Sequence, residues 1–472
     1  MQLHEYAAMT ARGAAARVRD RSVSPVELVG AAFEAIEATD GRINAWCELV
    51  RDQALQQARQ LESEAALGNW RGPLHGVPFG AKDLFLTKGV RTRRGSRLYE
   101  HSIPGETSPA VERMVAAGAI MVGKNTTPDS GWKASSNSPT DGVTRNPWDP
   151  TRTAGGSRSG SAAAVAAGTV PISLGSDGGG SLRIPAAFCG IFSLKPTLGR
   201  VPTYPLSSSE QLSHAGAMTV TVADSALALD VLKGPHDLDP YALPNDAQSY
   251  LRAIEEPLRS VRCLLAPTLF GRAVDPQIAA CVAQAFGRIA GMEGVEIVGD
   301  SLAWKDPIDV FDRLWVARGS TSIGMSEAAM AKLDPGLARM VRRSEALTLQ
   351  GHLKALQDRA EFCREVTHSF NDFDLLVTPM LPIHPFAAER DGPETMDETP
   401  PVPWARWTPF TYPFNLTGQP AAALPCGWTP ACHPVALQVI GRRFNDAAVL
   451  RFCAAWECVF DWRSRRPPVF SV

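Results

Sequence analysis

The sequence predicts an α/β protein in which helices cover a mixed β-sheet, and three observations carry that prediction. Short apolar segments of strand length alternate with segments of helical period along most of the chain. Glycine and proline punctuate the apolar segments, and there is no internal repeat or low-complexity tail. Composition is that of an ordinary soluble globular protein, with 44% hydrophobic and 20% charged residues. At 472 residues two or three domains is the usual expectation, yet large α/β proteins keep one continuous sheet at this size.

Residues 5–66 read as helical. Ser24 and Pro25 followed by Glu27 have the form of a helix start: a capping hydroxyl, a proline at the first helical position and an acid in the first turn. Val26, Leu28, Val29, Ala32, Phe33 and Ile36 then recur at helical spacing, Gly41 is expected to close the helix, and a second runs from about Asp52 to Leu67. From Leu74 the stretch LHGVPFGAKDLF is apolar and holds one lysine, Lys82. In such a setting a lysine ordinarily snorkels to the surface; partial burial would lower its pKa and make it a possible base. Residues 108–123 read as a helix and a short strand, and 124–153 as a long polar loop whose Trp132 and Trp148 argue against disorder. Beyond a glycine-serine stretch at 154–181, an apolar segment (LRIPAAFCGIFSLKPTLGRVP) is expected to cross the core. Residues 219–233 read as an amphipathic helix, 261–267 as a buried strand, and 275–292 as a helix followed by the strand GVEIVG. Residues 307–370 are expected to be mostly helical. A buried strand at 374–382 leads into a proline-rich loop that ends near Trp407, and a strand at 435–441 precedes a closing helix at 446–460.

A formal net charge of −2 gives no reason to expect nucleic acid or an anionic membrane as partner. The 9 cysteines form no C-x-x-C pair and have no histidine at zinc-ligand spacing, so reduced thiols and no metal are expected. The first residues lack an apolar core of signal-peptide length, and no run is long enough to span a bilayer. An intracellular, cytoplasmic protein is expected.

The stretch AGGSRSGSAAAVAAGTVPISLGSDGGGS (154–181) concentrates glycine and serine around the short apolar strand TVPISL. Glycine inside regular structure is destabilising by about 0.5–1 kcal/mol relative to alanine, and it lets backbone come close to a ligand. A phosphate cradle fits poorly. Neither G-x-x-x-x-G-K-[ST] nor G-x-G-x-x-G is present, and Asp177 would repel a phosphate. A purely structural role, with Ser157 capping a helix that starts near Ser161, accounts for one cluster and not the other. The third reading is a serine nucleophile. Gly178, Gly179 and Gly180 directly precede Ser181, and consecutive N–H groups there can converge on an oxyanion. There is no G-x-S-x-G elbow. His214 is the nearest histidine and reads as structural, whereas Lys82 is the best candidate base, with a second serine to relay the proton.

These residues resemble the amidase signature family. The resemblance runs from about Leu74 to Pro205, through GVPFGAKD, GGSRSGSAAAVAAG, GSDGGGSLRIPAAFCG and SLKPTLGRVP, and recurs in PFNLTGQPAAALP and PVALQVIG near the C-terminus. Residues 240–370 carry no recognised motif. The resemblance implies a single large α/β domain over residues 1–472, a twisted mixed sheet with helices on both faces. Within it, 1–70 would be N-terminal helices, 71–240 the signature core, 241–370 a mainly helical variable region, and 371–472 the rest of the core with substrate loops. It implies a Ser-cisSer-Lys triad: Ser181 as nucleophile, Ser157 as bridging serine after a cis peptide from Gly156, and Lys82 as base. Backbone N–H groups of Gly178, Gly179, Gly180 and Ser181 would hold the oxyanion, and Asp177 and Arg183 would pair to fix the loop. The reaction implied is hydrolysis of a small-molecule amide through a seryl acyl-enzyme, without cofactor or metal. A homodimer is the family's expectation. The same resemblance admits the amidase component of a tRNA-dependent amidotransferase, or a non-catalytic binding homologue.

The chain departs from the family's GGSSGGS at Arg158 and Ser159, and has GKNT at 123–126 for GKTN. Arg158 can point to solvent or sit beside Lys82, where a like charge would favour the neutral amine. The first is expected, since arginine is seldom buried without a partner. Trp132, Thr127, Arg158 and Trp407 are the candidate substrate-facing residues; Trp404, Trp407 and Phe410 supply a second wall or equally belong to the core. An aromatic wall of this kind suits a small apolar amide with an aryl or acyl portion.

Overall fold

The computed structural model describes residues 1–206, 211–396, 399–400 and 402–470. Eleven strands form one sheet. They are β1 (Trp46–Leu49), β2 (Pro78–Lys82), β3 (Ile120–Asn125), β4 (Ile172–Asp177), β5 (Phe192–Lys195), β6 (His214–Thr219), β7 (Val261–Leu265), β8 (Val295–Gly299), β9 (Leu375–Pro379), β10 (Ala421–Trp428) and β11 (Pro434–Gly441). Their order is β1-β3-β2-β4-β6-β5-β10-β11-β9-β7-β8. Pairing is parallel where β2 meets β3 and β4, and where β7 meets β8 and β9. The remaining pairs are antiparallel, so the expected mixed α/β sheet flanked by helices is what forms.

Strands β2, β3, β5, β6, β9 and β11 are buried along their whole length. That is why PFGAK and HAGAMT show no apolar–polar alternation, and why neither stands out as a strand in the sequence. The edge strand β8 is the opposite case, with Ile297 and Val298 each 40% exposed.

Several expectations about local structure need correction. Residues 5–66 are not helical throughout, because β1 interrupts them and pairs with β3. The Ser24 capping box starts a helix that runs Pro25–Ile43, past Gly41, and ends at Asn44 with φ 51°. A lone glycine is tolerated in a helix interior, whereas asparagine is one of the few side chains at ease in the left-handed region. The helix expected at 219–233 is Val222–Leu232, capped by Thr221, and Thr219 belongs to β6. The β-branched Thr219, Val220 and Thr221 favour extended chain there. That helix is almost wholly buried rather than amphipathic. Positions 397, 398 and 401 of the proline-rich loop lie outside the described residues.

This topology places the site. Lys82 ends β2 and Asp177 ends β4, and the two strands are parallel neighbours with Ala81 opposite Leu174. Their C-terminal ends therefore open on the same edge of the sheet, where backbone leaves the ladder and its N–H groups become free.

Candidate active site

Three side chains distant in sequence meet at that edge. Lys82 Nζ donates to Ser157 Oγ at 2.7 Å, and Ser157 Oγ donates to Ser181 Oγ at 3.0 Å. Lys82 is 1% exposed and Ser181 is 8% exposed, so the chain of hydrogen bonds runs from the interior to the floor of a cavity. Burial pushes the Lys82 amine well below its ordinary pKa; the nearby Arg158 charge adds to the shift and Asp177 opposes it. An amine so placed can accept a proton through Ser157 from Ser181.

The backbone around Ser157 is tightly fitted. The Gly156–Ser157 peptide is cis. A side chain at 156 would overlap the Ser135 carbonyl oxygen, so only glycine fits. Thr127 Oγ1 donates to the Ser157 carbonyl at 2.8 Å. Thr127 thus lies behind the relay as a positioning residue rather than in the cavity. The expectation that Ser157 caps the following helix is not met: the helix is Ser159–Ala166, its N-cap is Arg158, and no side chain caps it.

The loop that carries Ser181 is held by an ion pair whose arginine reaches into the C-terminal third of the chain. Arg183 Nε lies 3.0 Å from Asp177 Oδ2, and both residues are fully buried. Arg183 also donates to Thr411 O, Gln438 Oε1 and Asn415 Oδ1, while Asn415 Nδ2 donates to Asp177 Oδ1 at 2.8 Å. Burial alone would raise the Asp177 carboxyl, but Arg183, Lys195 and Asn415 outweigh it and hold the carboxyl below the ordinary range. These contacts explain why the motifs at PFNLTGQP and PVALQVIG accompany GSDGGGS: they contribute Asn415 and Gln438.

Of the four N–H groups expected to face an oxyanion, Gly180 must be removed. Its N–H donates to Asp177 Oδ1 at 2.6 Å. The N–H groups of Gly178, Gly179 and Ser181 have no acceptor among the described residues. The glycine run also answers to its neighbours. A Cβ at 178 would come within 3.0 Å of the Trp315 ring, and one at 179 within 2.6 Å of the Trp404 ring.

Arg158 is the main correction. It does not point to solvent but is fully buried, with none of its guanidinium nitrogens hydrogen-bonded among the described residues. It packs on Gly175 of β4, where a Cβ would overlap its guanidinium. It does not line the cavity, so it is not a substrate-facing residue. The glycine inside the strand is the one sequence signal that something bulky approaches there.

The cavity over Ser181 measures about 360 Å³, within the range of small-molecule sites. Trp132 lines it, as expected. Trp407 does not; it stacks on Phe188 at 6.3 Å and meets Phe386 edge-on at 5.1 Å. Trp404 packs on Gly179, and the Phe410 carbonyl accepts from Gln438 Nε2, so both belong to the scaffold. An aromatic residue in sequence does not reveal whether its ring lines a cavity or fills a core, and of the two places open to these three the structure shows the core. The wall also includes Leu337, Met340 and Val341, in a region without recognised motifs. His214 is buried, with Nδ1 2.9 Å from the Leu212 carbonyl. Cys47, Asp83 and Asp141 bring ligand atoms within 4.8 Å of one another. Arg93 lies 3.2 Å from Asp141 and Lys124 3.9 Å from Asp83, so two cations flank this cluster. No helix among the described residues is long and apolar enough to cross a membrane.

A family model described as Amidase matches residues 27–450. The chain is 33% identical over 467 residues to an acylamidase of Rhodococcus erythropolis, covering 97% of each. It is 34% identical to a glutamyl-tRNA(Gln) amidotransferase subunit of Chloroflexus aggregans, covering 94% of this chain and 95% of that one. The fold superimposes on a bacterial aryl acylamidase with a TM-score of 0.89 at 27% identity, covering 97% of both chains.

Proposed function

The chain belongs to the amidase family and is a hydrolase of carbon–nitrogen bonds in amides, and from that premise we propose a mechanism with Ser181 as nucleophile, Ser157 as relay and Lys82 as base. Neutral Lys82 takes a proton from Ser157 as Ser157 takes one from Ser181. Ser181 Oγ attacks the amide carbonyl, and the N–H groups of Gly178, Gly179 and Ser181 hold the oxyanion. The relay returns a proton to the leaving amine or ammonia, and water then releases the acid. The observation that carries this reading is the pair of hydrogen bonds in series, 2.7 Å and 3.0 Å, ending at a serine on the cavity floor. Asp177 and Arg183 are positioning residues for the loop.

The substrate is a small amide with an aryl or acyl portion, lodged against Trp132, Leu337 and Met340. The acylamidase of Rhodococcus erythropolis supports this. Labelling of Ser181 by a fluorophosphonate, lost in Lys82→Ala, together with hydrolysis of an anilide panel lost in Ser181→Ala, tests it. An unlabelled Ser181, or anilide turnover retained by Ser181→Ala, would overturn it.

A second reading, as the amidase component of an amidotransferase complex, is favoured by the relatives named for that role. It predicts partner proteins that co-purify and a glutaminase activity dependent on them. Against it, glutamine carries an ammonium group, and no carboxylate lines the cavity among the described residues. The protein is proposed to act in the cytoplasm as a homodimer, for which sedimentation is the direct check.

A further inference from the structure

The wall of the cavity carries a cation that the proposed chemistry does not use. Arg318 lies in the short 3-10 helix Ala317–Ser322 and lines the same cavity as Lys82, Ser157 and Ser181. Its guanidinium carbon sits 4.2 Å from the centre of the Trp315 ring. Trp315 in turn packs on Gly178 of the nucleophile loop, so one ring separates Arg318 from the proposed oxyanion donors. Trp315 is itself braced by Phe311, stacked at 5.4 Å, and by Trp404, edge-on at 5.0 Å. The arginine is therefore held on a rigid platform and not on a mobile loop tip.

Among the described residues, no carboxylate pairs with Arg318 and no oxygen accepts from its side chain. Partial burial lowers its pKa to about 10, and among the described residues no opposite charge offsets this. The other ionisable groups lining the cavity are Lys82, Arg94, Tyr99 and Tyr204, with no Asp or Glu among the described ones. Arg94 stands over Tyr99 at 4.7 Å and has a buried Nε without a partner. Arg318 is half-buried and lines the cavity, and a guanidinium drawn partly out of water gains from an anionic partner. Its planar fork matches a carboxylate, and stacking on an indole leaves that fork free in the plane.

We propose that Arg318 is a specificity-determining residue that binds an anionic group, a carboxylate above all, on the amide substrate. The substrate is then amphiphilic: an apolar body against Trp132 and Leu337, and an anionic end on Arg318, with Arg94 adding to the same field. This rests on the amide-hydrolase reading of the same cavity and names its substrate class.

The test uses matched anilides. Succinanilic acid places a carboxylate on the acyl side, 4-butyramidobenzoic acid places one on the amine side, and butyranilide is neutral. Binding to full-length Ser181→Ala protein, by calorimetry, is compared with binding to Ser181→Ala/Arg318→Gln. At least one acid is expected to bind ten- to a hundredfold more tightly than butyranilide at low salt. Arg318→Gln is expected to remove most of that preference, and the arm that shows it tells which half of the substrate faces Arg318. The preference should shrink as ionic strength rises. In the Ser181 enzyme, the ratio of kcat/KM for acid over neutral anilide should fall at least tenfold on Arg318→Gln. Should Arg318→Gln fail to fold, Arg318→Lys serves instead, keeping the charge and losing the fork, with a smaller loss of preference expected. Equal or tighter binding of butyranilide, or a preference that Arg318→Gln leaves intact, overturns the proposal. Turnover by Ser181→Ala would sink the acyl-enzyme reading instead, while the calorimetric comparison would still decide the role of Arg318.

Discussion

Residues 74–205 supply the proposed relay and nucleophile loop, and residues 315–341 supply much of the cavity wall, and the two are held by different forces. On the floor, polar atoms are fixed by directed hydrogen bonds: Lys82 to Ser157, Ser157 to Ser181, Thr127 to the Ser157 carbonyl, Gly180 to Asp177. On the wall, Trp315, Leu337, Met340 and Val341 are placed by packing, and Arg318 by stacking on a ring. A hydrogen-bonded relay needs particular atoms at particular distances, so residue type is dictated. A packed wall needs volume and shape, which several residue types satisfy. The floor thus sets which bond is broken, and the wall sets which molecule is admitted.

The sharpest break in that comparison comes from the floor. Lys82→Ala removes the proposed base while Ser181 stays in place, and kcat for an anilide is expected to fall by about 10²–10⁴. A fall in kcat/KM that came only from KM would move Lys82 from chemistry to binding. Next in size is Asp177→Asn. It leaves Arg183 buried with its charge uncompensated, and breaking such a pair costs about 3–5 kcal/mol. Urea unfolding should show that loss, and kcat should fall as Gly180 and Leu182 lose the carboxylate that accepts from them. A stability change below about 1 kcal/mol would show that the pair is dispensable.

The wall should respond differently. Leu337→Ala enlarges the cavity at a residue 8% exposed that touches no reacting atom. Removing apolar contact of this size is worth about 1–3 kcal/mol, or 10–200-fold. That loss should appear mainly as a raised KM for aryl amides, with the Ser181 labelling rate retained. A loss of labelling at the same rate as turnover would place Leu337 among the residues that shape the floor.

How far each region is legible in the sequence follows from the same contrast. The proposed triad is legible through the resemblance to the amidase signature family, which rests on the glycine-rich motifs that hold Lys82, Ser157 and Ser181. The α/β class can be read because helix and strand alternate. The strands β2 and β6 escape sequence reading because burial on both faces erases alternation. Trp407 belongs to the core rather than the wall because its indole packs against Phe188 and Phe386, neither adjacent in sequence. Arg318 has no sequence signal: its meaning comes from a ring three residues earlier and from a cavity lining that holds no acid among the described residues. Gly180 drops out of the oxyanion set because its N–H is taken by a carboxylate three residues back, a choice of turn geometry that composition does not reveal.

Arg158 joins the two regions and gives the subtlest test. It belongs to the floor by sequence, yet like the wall it is placed by packing, against Gly175. Its charge lies near Lys82 and disfavours the ammonium form, adding to the larger effect of burial. The proposed base works only when neutral, so kcat/KM should rise with pH through the Lys82 pKa and fall on the acid side. Removing the Arg158 charge raises that pKa and moves the acidic limb to higher pH. Arg158→Ser alone would confound this, because the space it opens lets water in and relieves burial, which acts in the same direction. Arg158→Met keeps the volume and removes only the charge. If both variants move the limb upward, and Met does so by less, charge and burial both hold the lysine neutral. A limb unmoved in Arg158→Met would assign the whole effect to burial and leave Arg158 as packing alone.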